Sequence, residues 1–276
     1  MSTTTSNPSP IRAAAGPGPA FHRVLNSEFI KFRTLRSTLI LLACTAAVML
    51  PLAALRADSM GTIVGEYGDS PGFNVAEYIA GVPTSGVVVA VLILGSLGVM
   101  LMSSEFTTGM ARSTFAAVPK RIPAFWAKLV VVMAAGFLLT AVTAWFAGLI
   151  SIPILEDNKF ALDLGSPTSV RFLLVNSIYV ASVGAIGASI GAILRNSAGG
   201  IMSLFGLVFL APSLLGLFPG DLAEAAKYLP SKTIAPLTAL NHDPDMLEAW
   251  QAALVLGAWV VVPVVVAMLL LKKRDV

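Results

Sequence analysis

Six apolar runs, each close to twenty residues long, constrain this chain more than any other feature of its sequence. They cover approximately 37–55, 82–102, 129–150, 170–194, 200–218 and 249–271. A helix needs about 20 residues to cross the hydrocarbon core of a bilayer, so each run predicts one membrane-spanning helix. The chain is 56% hydrophobic and only 12% charged, about half the charge of a soluble domain. We therefore predict an all-α membrane protein with six transmembrane helices.

The segment before the first run divides into two parts. Residues 1–20 are rich in Ser, Thr, Pro, Gly and Ala and carry one charge, which predicts a disordered tail. Residues 21–36 predict an amphipathic helix that lies in the membrane interface as an elbow, with basic residues near anionic head groups. Its apolar face comprises Phe21, Val24, Leu25, Phe29, Phe32 and Leu35, and its candidate functional residues are Glu28, Lys31, Arg33 and Arg36.

Glu28 interrupts the apolar face of this elbow helix. A carboxylate in that position either pairs with Lys31, one turn further on, or contacts a partner subunit. The sequence does not choose between the two.

The distribution of charge predicts the orientation of the chain in the membrane. Of its 18 Lys and Arg residues, thirteen fall on the side of the N-terminus and five on the other side. Because basic residues favour the cytoplasmic side, both termini and the connection 103–128 are predicted to be cytoplasmic. The outer connections 56–81, 156–169 and 219–248 are acidic and rich in Gly and Pro. We expect them to form a lid or gate, with plain solvated loops as the alternative.

The connection 103–128 is a polar and basic segment that is far longer than a chain reversal requires. Its charged residues are Glu105, Arg112, Lys120, Arg121 and Lys128. The pattern predicts a short helix, a proline turn and re-entry into the membrane. We interpret the segment as a docking element for a soluble partner.

Several kinds of chemistry are absent from the sequence. No Gly-Lys dipeptide occurs, so the chain has no P-loop for ATP, and with only His22 and His242 it has no H-E-x-x-H zinc motif. The predicted spans contain no ionisable residue in their interiors, which argues against an ion-coupled pump. The basic residues flank the spans, so the high pI of about 9.1 reflects topology rather than nucleic-acid binding. We predict that the chain is not an enzyme and binds no metal or cofactor of its own.

The fourth run contains small residues at helical spacing. Gly184, Gly187 and Gly191 predict close packing against another helix, which the sequence does not identify. Residues 187–191 also match the G-x-S-x-G pattern of a hydrolase, with Ser189 as the nucleophile, but no span contains a histidine base, so helix packing is the stronger interpretation. Uncharged polar residues in the third and fourth runs either line a translocation path or form interhelical hydrogen bonds. They are Thr140, Thr143, Asn176, Ser177 and Tyr179.

Several segments together resemble the permease subunits of type-2 ATP-binding-cassette (ABC) exporters of actinobacteria. Residues 27–37, SEFIKFRTLRS, resemble the family's E-W-x-K-L-R-S-x-R-S entry helix, with Phe29 where Trp is frequent. Residues 104–114, SEFTTGMARST, resemble its S-E-Y-x-x-G-x-x-R-x-T segment and are the most specific match. Weaker similarity continues through Pro119, Arg121 and Lys128, through 229–231, and to the basic C-terminus.

The resemblance implies a function that the composition does not show. It implies a bacterial plasma-membrane exporter in which this chain pairs with a second permease, a homodimer being expected, and with two separate ATPase subunits that bind ATP and Mg²⁺. Segment 103–115 would be the coupling helix in the ATPase cleft, and the elbow helix would touch the same subunit. The implied contact residues of the coupling helix are Ser104, Glu105, Phe106, Thr107, Thr108, Gly109, Arg112 and Thr114.

An alternative function stays open at this point. A membrane scaffold or sensor that recruits a soluble partner through 103–128 would show the same topology and would need no ATPase.

Overall fold

The chain is predominantly helical in the part that its computed structural model describes, which comprises residues 20–70, 72–107, 109, 122–220, 224–241 and 244–273. The predicted tail 1–20 lies outside the described residues except for Ala20. No strand occurs in these ranges. The predicted all-α architecture is confirmed.

Six helices are long and apolar enough to cross a membrane, as predicted. The first is α2 (Arg36–Asp58), the second contains α5 (Val87–Thr107), and the third and fourth are α6 (Ile122–Asp157) and α7 (Pro167–Leu194). The fifth consists of α8 (Ser197–Phe205), a π-helical turn (Gly206–Leu210) and α9 (Ala211–Leu215), and the sixth is α11 (Ala249–Lys273). The chain is therefore a multi-pass membrane protein.

Several helices extend beyond the apolar runs that predicted them, whereas the fifth membrane helix ends at Leu215, before the end of its run. Hydropathy marks where the hydrocarbon ends, whereas a helix continues for as long as its backbone hydrogen bonds do. Residues 103–107 accordingly belong to α5 and residues 122–128 to α6, so both ends of the predicted loop 103–128 are helical. Thr108 and residues 110–121 of that loop lie outside the described residues.

The elbow helix, α1 (Phe21–Thr34), is confirmed but is shorter than the predicted 21–36. Leu35 is extended, with φ −72° and ψ 115°, and it alone joins α1 to α2. The hydroxyl of Thr34 donates to the carbonyl of Ile30 at 2.9 Å, a side-chain bond within the last turn. Arg36 is consequently the first residue of α2 and not, as predicted, part of the elbow helix.

Helix α7 forms the centre of the bundle. Of the residues in its most apolar stretch, 78% are buried, against 22% in α2 and 17% in the fifth membrane helix. It packs against α5, α6 and α11, while α2 packs against α5 and α6. The outer helices leave most of their apolar side chains at least partly exposed, as expected where lipid covers them.

Proline occurs inside four of the membrane helices in the described part of the chain, and in α6 it is Pro153. Pro51 and Pro263 lie within α2 and α11. Pro212 is the second residue of α9, which directly follows the π-helical turn Gly206–Leu210. A proline removes one backbone donor and crowds the carbonyl four residues before it, and the wider π turn gives that carbonyl room.

The end of the bundle that carries α3 (Met60–Tyr67) and α4 (Val75–Ala80), here called the acidic end, is packed rather than loose. An apolar cluster joins the 56–81 connection to the end of α6 and the segment that follows it. Its buried members are Ala57, Met60, Val82, Leu155 and Leu162. These two connections are therefore not plain solvated loops.

The third connection at the acidic end contains short helical turns, Ala226–Tyr228 and Pro230–Thr233, followed by α10 (Ile234–Thr238). Pro230 begins the second turn, and Pro236 is the third residue of α10. The backbone donor that proline lacks has no intrahelical partner in a first turn, so nothing is lost there.

Side chains from the neighbouring elements hold this third connection in place. Arg171 donates from Nε to the carbonyl of Leu237 at 2.7 Å, and the indole of Trp259 donates to the carbonyl of Tyr228 at 2.8 Å. The backbone N–H of Leu240 donates to Glu77 at 3.2 Å, which links the third connection to the first. The connections at the acidic end are therefore held to one another and to the membrane helices.

Candidate functional site

The last turn of α5, residues 103–107, lies where α1, α6, α7 and α8 come together. This end of the bundle, here called the basic end, also carries Arg195 and the C-terminal lysines of α11. It contains the most specific part of the sequence resemblance. The site is built from the contacts that each side chain of this turn makes.

Four charged side chains form a cluster at the basic end, here called the ion quartet: Glu28 and Lys31 of α1, Glu105 of α5, and Lys128 of α6. The Lys128 ammonium lies 2.5 Å from Glu28 and 2.8 Å from Glu105. Lys31 lies 2.9 Å from Glu28 and 3.4 Å from Glu105. Each lysine therefore bridges both carboxylates, and the quartet is neutral overall.

Burial differs between the two lysines of the quartet. The side chains of Glu28, Glu105 and Lys128 are 6–9% exposed, whereas that of Lys31 is 36% exposed. A buried charge is tolerated when it is paired and hydrogen-bonded, and the quartet pairs all of its charges. Lys31 is the member that water or a head group can reach.

The electrostatics of the quartet keep Lys31 charged. Burial by itself would lower the pKa of the Lys31 ammonium, but its hydrogen bond to Glu28 and the negative charges of Glu28 and Glu105 outweigh that effect. The net result is a pKa raised above the ordinary value of 10.5. Lys31 therefore carries its positive charge throughout the physiological range.

Two further contacts join α5 to the connector between α7 and α8. The hydroxyls of Ser103 and Ser197 lie 2.7 Å apart, and Ser103 also donates to the carbonyl of Val99. The guanidinium of Arg195 lies 4.6 Å from the centre of the Phe106 ring, a cation–π contact. Arg195 ends α7 in a left-handed conformation, with φ 52°, which turns the chain directly into α8.

The remaining predicted coupling residues differ in their placement. Ser104 lines a cleft beside α1, and Thr107 is exposed, with its hydroxyl donating to the carbonyl of Ser104. Gly109 is exposed and has φ +73°, a left-handed conformation that glycine adopts without strain. Thr108, Arg112 and Thr114 lie outside the described residues.

The elbow residues separate into paired and unpaired side chains. Glu28 and Lys31 belong to the quartet, so the contact between them that the sequence allowed is present. Glu28 also contacts Lys128, a partner within this chain that the sequence analysis did not consider. Arg33 and Arg36 are exposed and form no ion pair within the described residues.

The structure identifies α5 as the partner of the glycine-rich face of α7. A Cβ built on Gly187 would lie 2.3 Å from the carbonyl oxygen of Gly95, and one on Gly191 would lie 2.5 Å from that of Val99. The glycines of α5 lie equally close to α7, since a Cβ built on Gly98 would lie 2.3 Å from the carbonyl oxygen of Gly184. The two backbones therefore touch at these glycines.

The polar side chains of the third and fourth membrane helices bond mainly within their own helices. The hydroxyls of Ser177 and Ser189 donate to the carbonyls of Leu173 and Ala185, and both residues are fully buried. Thr140 is buried without a hydrogen-bond partner in the described part of the chain. Asn176 donates to the carbonyl of Phe172 in its own helix at 2.8 Å and also lies 3.5 Å from the hydroxyl of Thr84 in the connection before α5.

Ser189, the candidate nucleophile of the hydrolase interpretation, is fully buried within α7. Its hydroxyl is directed along α7, inside a continuous helix rather than a strand–turn–helix. Within the described ranges, no group of three His, Cys, Asp or Glu side chains is placed to hold a metal ion.

The sequence did not predict that these four charged residues form one cluster. Lys128 was noted only as a charge of the loop, and Glu105 only as a surface contact. A signal was present, because the second and third spans are consecutive and antiparallel, which places the end of one beside the start of the next. Opposite charges at those two ends, Glu105 and Lys128, therefore indicate a contact.

Comparison with known proteins does not assign the chain to a family. No protein-family model matches the chain, and a search of curated proteins found no significant match. The fold and the site define a multi-pass α-helical membrane protein whose basic end is cross-linked by ion pairs.

Proposed function

We propose that this chain is the membrane-spanning permease subunit of an ABC exporter, energised by a separate ATPase subunit that docks on segment 103–115. The observation that carries the proposal is the way the last turn of α5 is held. It contacts α1 and α6 through Glu105, α7 through Phe106, and α8 through Ser103. Four helices therefore receive any displacement of this turn.

A docking element that drives transport has to transmit force rather than absorb it. A flexible loop would move without shifting the helices, whereas an element packed against its neighbours moves them with it. Residues 103–107 are helical and continuous with α5, and the segment after them begins directly at this packed turn. In this proposal, closure of the ATPases on ATP pulls the segment and tilts the joined helices between inward-open and outward-open states.

The contacts divide the predicted coupling residues into two groups. Glu105 and Phe106 face residues of their own chain, so in this proposal they anchor the coupling segment. Thr107 and Gly109 are exposed. In this proposal, Thr107 and Gly109 contact the ATPase. The sequence resemblance adds Thr108, Arg112 and Thr114 to the same contact.

The remaining parts of the proposal follow from the resemblance and the charge distribution. ATP and Mg²⁺ belong to the two ATPase subunits, and the second permease is a second copy of this chain. The basic end faces the cytoplasm of a bacterial cell because basic residues favour that side.

Co-purification tests the proposal directly. The full chain is co-expressed with a P-loop ATPase encoded beside it, solubilised and purified through a tag on this chain. We expect the ATPase to co-purify and its hydrolysis to depend on the permease. Arg112→Glu is expected to abolish both effects without reducing the amount of permease in the membrane.

Lys272→Glu is the matched control, because Lys272 is an exposed basic residue at the same end of the bundle and lies on α11. This variant is expected to retain the ATPase. If the wild-type chain captures a soluble protein without a P-loop through 103–128, and no ATPase, the scaffold alternative is correct and the exporter proposal fails.

A further inference from the structure

A cleft opens beside the ion quartet, between α1 and the adjoining ends of α5 and α6. Its volume is about 290 Å³, and its apolar lining comprises Phe32, Leu35, Leu101 and Val131. Thr34, Ser104 and the four residues of the quartet supply the polar lining. A largely apolar cleft with a few polar groups at hand is the general form of a site for an amphiphilic molecule.

A second cleft, of about 370 Å³, lies between α1 and α6 and shares Phe32 and Val131 with the first. The rest of its lining is mostly apolar and includes Leu25, Phe29 and Leu138, with His22 and Asn26 as its polar residues. Helix α1 thus rests on α6 with an apolar space on either side of Phe32. Apolar spaces at the junction of an interfacial helix and a membrane span lie at the depth where lipid chains begin.

The charge around the first cleft favours an anionic head group. The quartet is neutral, but Arg33 and Arg36 are exposed and have no ion-pair partner within the described residues. The sequence contains no acidic residue between Glu28 and Asp58 that would offset them. The excess charge at this junction is therefore positive.

Lys31 is placed to contact such a head group. An ammonium has three donors, and Glu28 and Glu105 accept from two of them. Its side chain is the one member of the quartet with substantial exposure, at 36%. A phosphate on the exposed side of Lys31 would leave both existing bonds in place.

We propose that the cleft between α1, α5 and α6 binds one anionic phospholipid, with an acyl chain against Phe32, Leu101 and Val131 and its phosphate at Lys31. This is a defined site for one lipid molecule, and it differs from the general attraction of a basic helix to a charged surface. It does not depend on the transport function, because it needs neither an ATPase nor a cargo.

Native mass spectrometry of the purified full chain tests this site. The probes are phosphatidylglycerol, which is anionic, and phosphatidylcholine, which is zwitterionic, each added at equal concentration in detergent. We expect one phosphatidylglycerol to be retained in preference to phosphatidylcholine. Lys31→Gln is expected to reduce that preference about fivefold, the effect of one basic residue near a head group.

Two further variants test whether the lipid binds in the cleft or on the exposed surface of the basic end. Lys272→Gln removes an exposed lysine of α11 at the same end and is expected to leave the preference unchanged. Leu101→Trp fills the apolar wall and is expected to reduce retention of both lipids while circular dichroism and the unfolding temperature show an intact fold.

The proposal is overturned if wild type, Lys31→Gln and Leu101→Trp retain phosphatidylglycerol equally, or if wild type retains both lipids equally. It is also overturned if soluble glycerol phosphate displaces the lipid, since the occupant would then be a free anion. Failure of glycerol phosphate to compete supports the lipid as occupant.

Discussion

Lys128 of α6 lies 2.5 Å from Glu28 of α1, although one hundred residues separate them in the chain. Both side chains are buried, and Glu105 of α5 lies 2.8 Å from the same ammonium. An interfacial helix that rests on a bundle through apolar contacts alone is free to slide or rotate. This buried pair fixes the position of α1 relative to the two helices that flank the predicted docking segment.

The two lysines of the quartet are expected to differ in their contribution to stability. Lys128→Met leaves Glu28 and Glu105 buried with Lys31 as their remaining partner, and breaking a buried pair in this way costs about 3–5 kcal/mol. Lys31→Met removes a lysine that is 36% exposed, and such pairs contribute about 1 kcal/mol or less. We expect the unfolding temperature in detergent to fall clearly more for Lys128→Met than for Lys31→Met.

A double variant tests whether pairing is the cause. Glu28→Gln combined with Lys128→Met removes one charge of each sign, so its loss of stability should be smaller than the sum of the single losses. Equal unfolding temperatures for the two single lysine variants would show that the quartet does not hold α1 in this way.

The stabilisation that Lys31 provides is expected to be constant around neutral pH and to decrease at alkaline pH. Its pKa is raised above 10.5 in the folded chain by Glu28 and Glu105, which outweigh the opposing effect of burial. When folding raises the pKa of a group, the group stabilises the fold fully at pH values below its pKa in the unfolded chain. That stabilisation is lost as the pH rises through its pKa in the folded chain. The stabilisation is therefore complete at neutral pH.

The measurement compares unfolding temperatures of wild type and Lys31→Met across alkaline pH. The difference between them should stay constant from about pH 7 to pH 9 and should shrink above pH 10.5. Arg33→Met is the control, because its guanidinium does not titrate in this range. A wild-type advantage that persisted unchanged well above the raised pKa would contradict the pairing of Lys31.

The sequence predicted the number and type of the membrane helices because the apolar runs match the bilayer thickness. It also predicted the elbow helix from its 3.6-residue periodicity, but not its end, since the extended Leu35 carries no local signal. Periodicity identifies the face of a helix and not what that face contacts. For this reason Gly184, Gly187 and Gly191 were recognised as packing residues, whereas their partners needed the structure: α5 for Gly187 and Gly191, and Val132 of α6 for Gly184.

The quartet shows the same limit for charged residues. The pairing of Glu28 with Lys31 was considered because the two residues are three positions apart on one helix. Glu105 and Lys128 lie far from both in the chain, and their contacts depend on where α1 rests on the bundle. Nothing in local sequence specifies that position.

The contact between α5 and α7 is expected to tolerate no added side chain at Gly187. A Cβ there would lie 2.3 Å from the carbonyl oxygen of Gly95, and a backbone oxygen cannot move aside as a flexible side chain can. Overpacking a core costs about 1–3 kcal/mol and sometimes more. We expect Gly187→Ala to lower the unfolding temperature and the yield of folded protein in detergent.

Gly257→Ala provides the matched control, since Gly257 lies within α11 and a Cβ built on it meets nothing within 4 Å. Alanine favours helix over glycine, so this variant should be as stable as wild type or slightly more stable. Equal effects at the two positions would mean that α5 and α7 do not meet at their backbones.

The orientation of the bundle is expected to place the basic end inside the cell. Cys44 is the chain's single cysteine and is exposed on α2, so Cys44→Ala provides a background for site-specific labelling. In that background, Asp69→Cys adds a thiol at the acidic end and Lys272→Cys adds one at the basic end, both at exposed positions. We expect a membrane-impermeant maleimide to label Asp69→Cys in intact cells and Lys272→Cys only after permeabilisation.

The reversed pattern would place segment 103–115 outside the cell, beyond the reach of a cytoplasmic ATPase, because it begins at the basic end where α5 terminates. The exporter proposal would then fail, whereas the lipid cleft beside α1 would stand, since an anionic phospholipid can reach it from either leaflet. Labelling therefore separates the two proposals, and it does so without knowledge of the cargo.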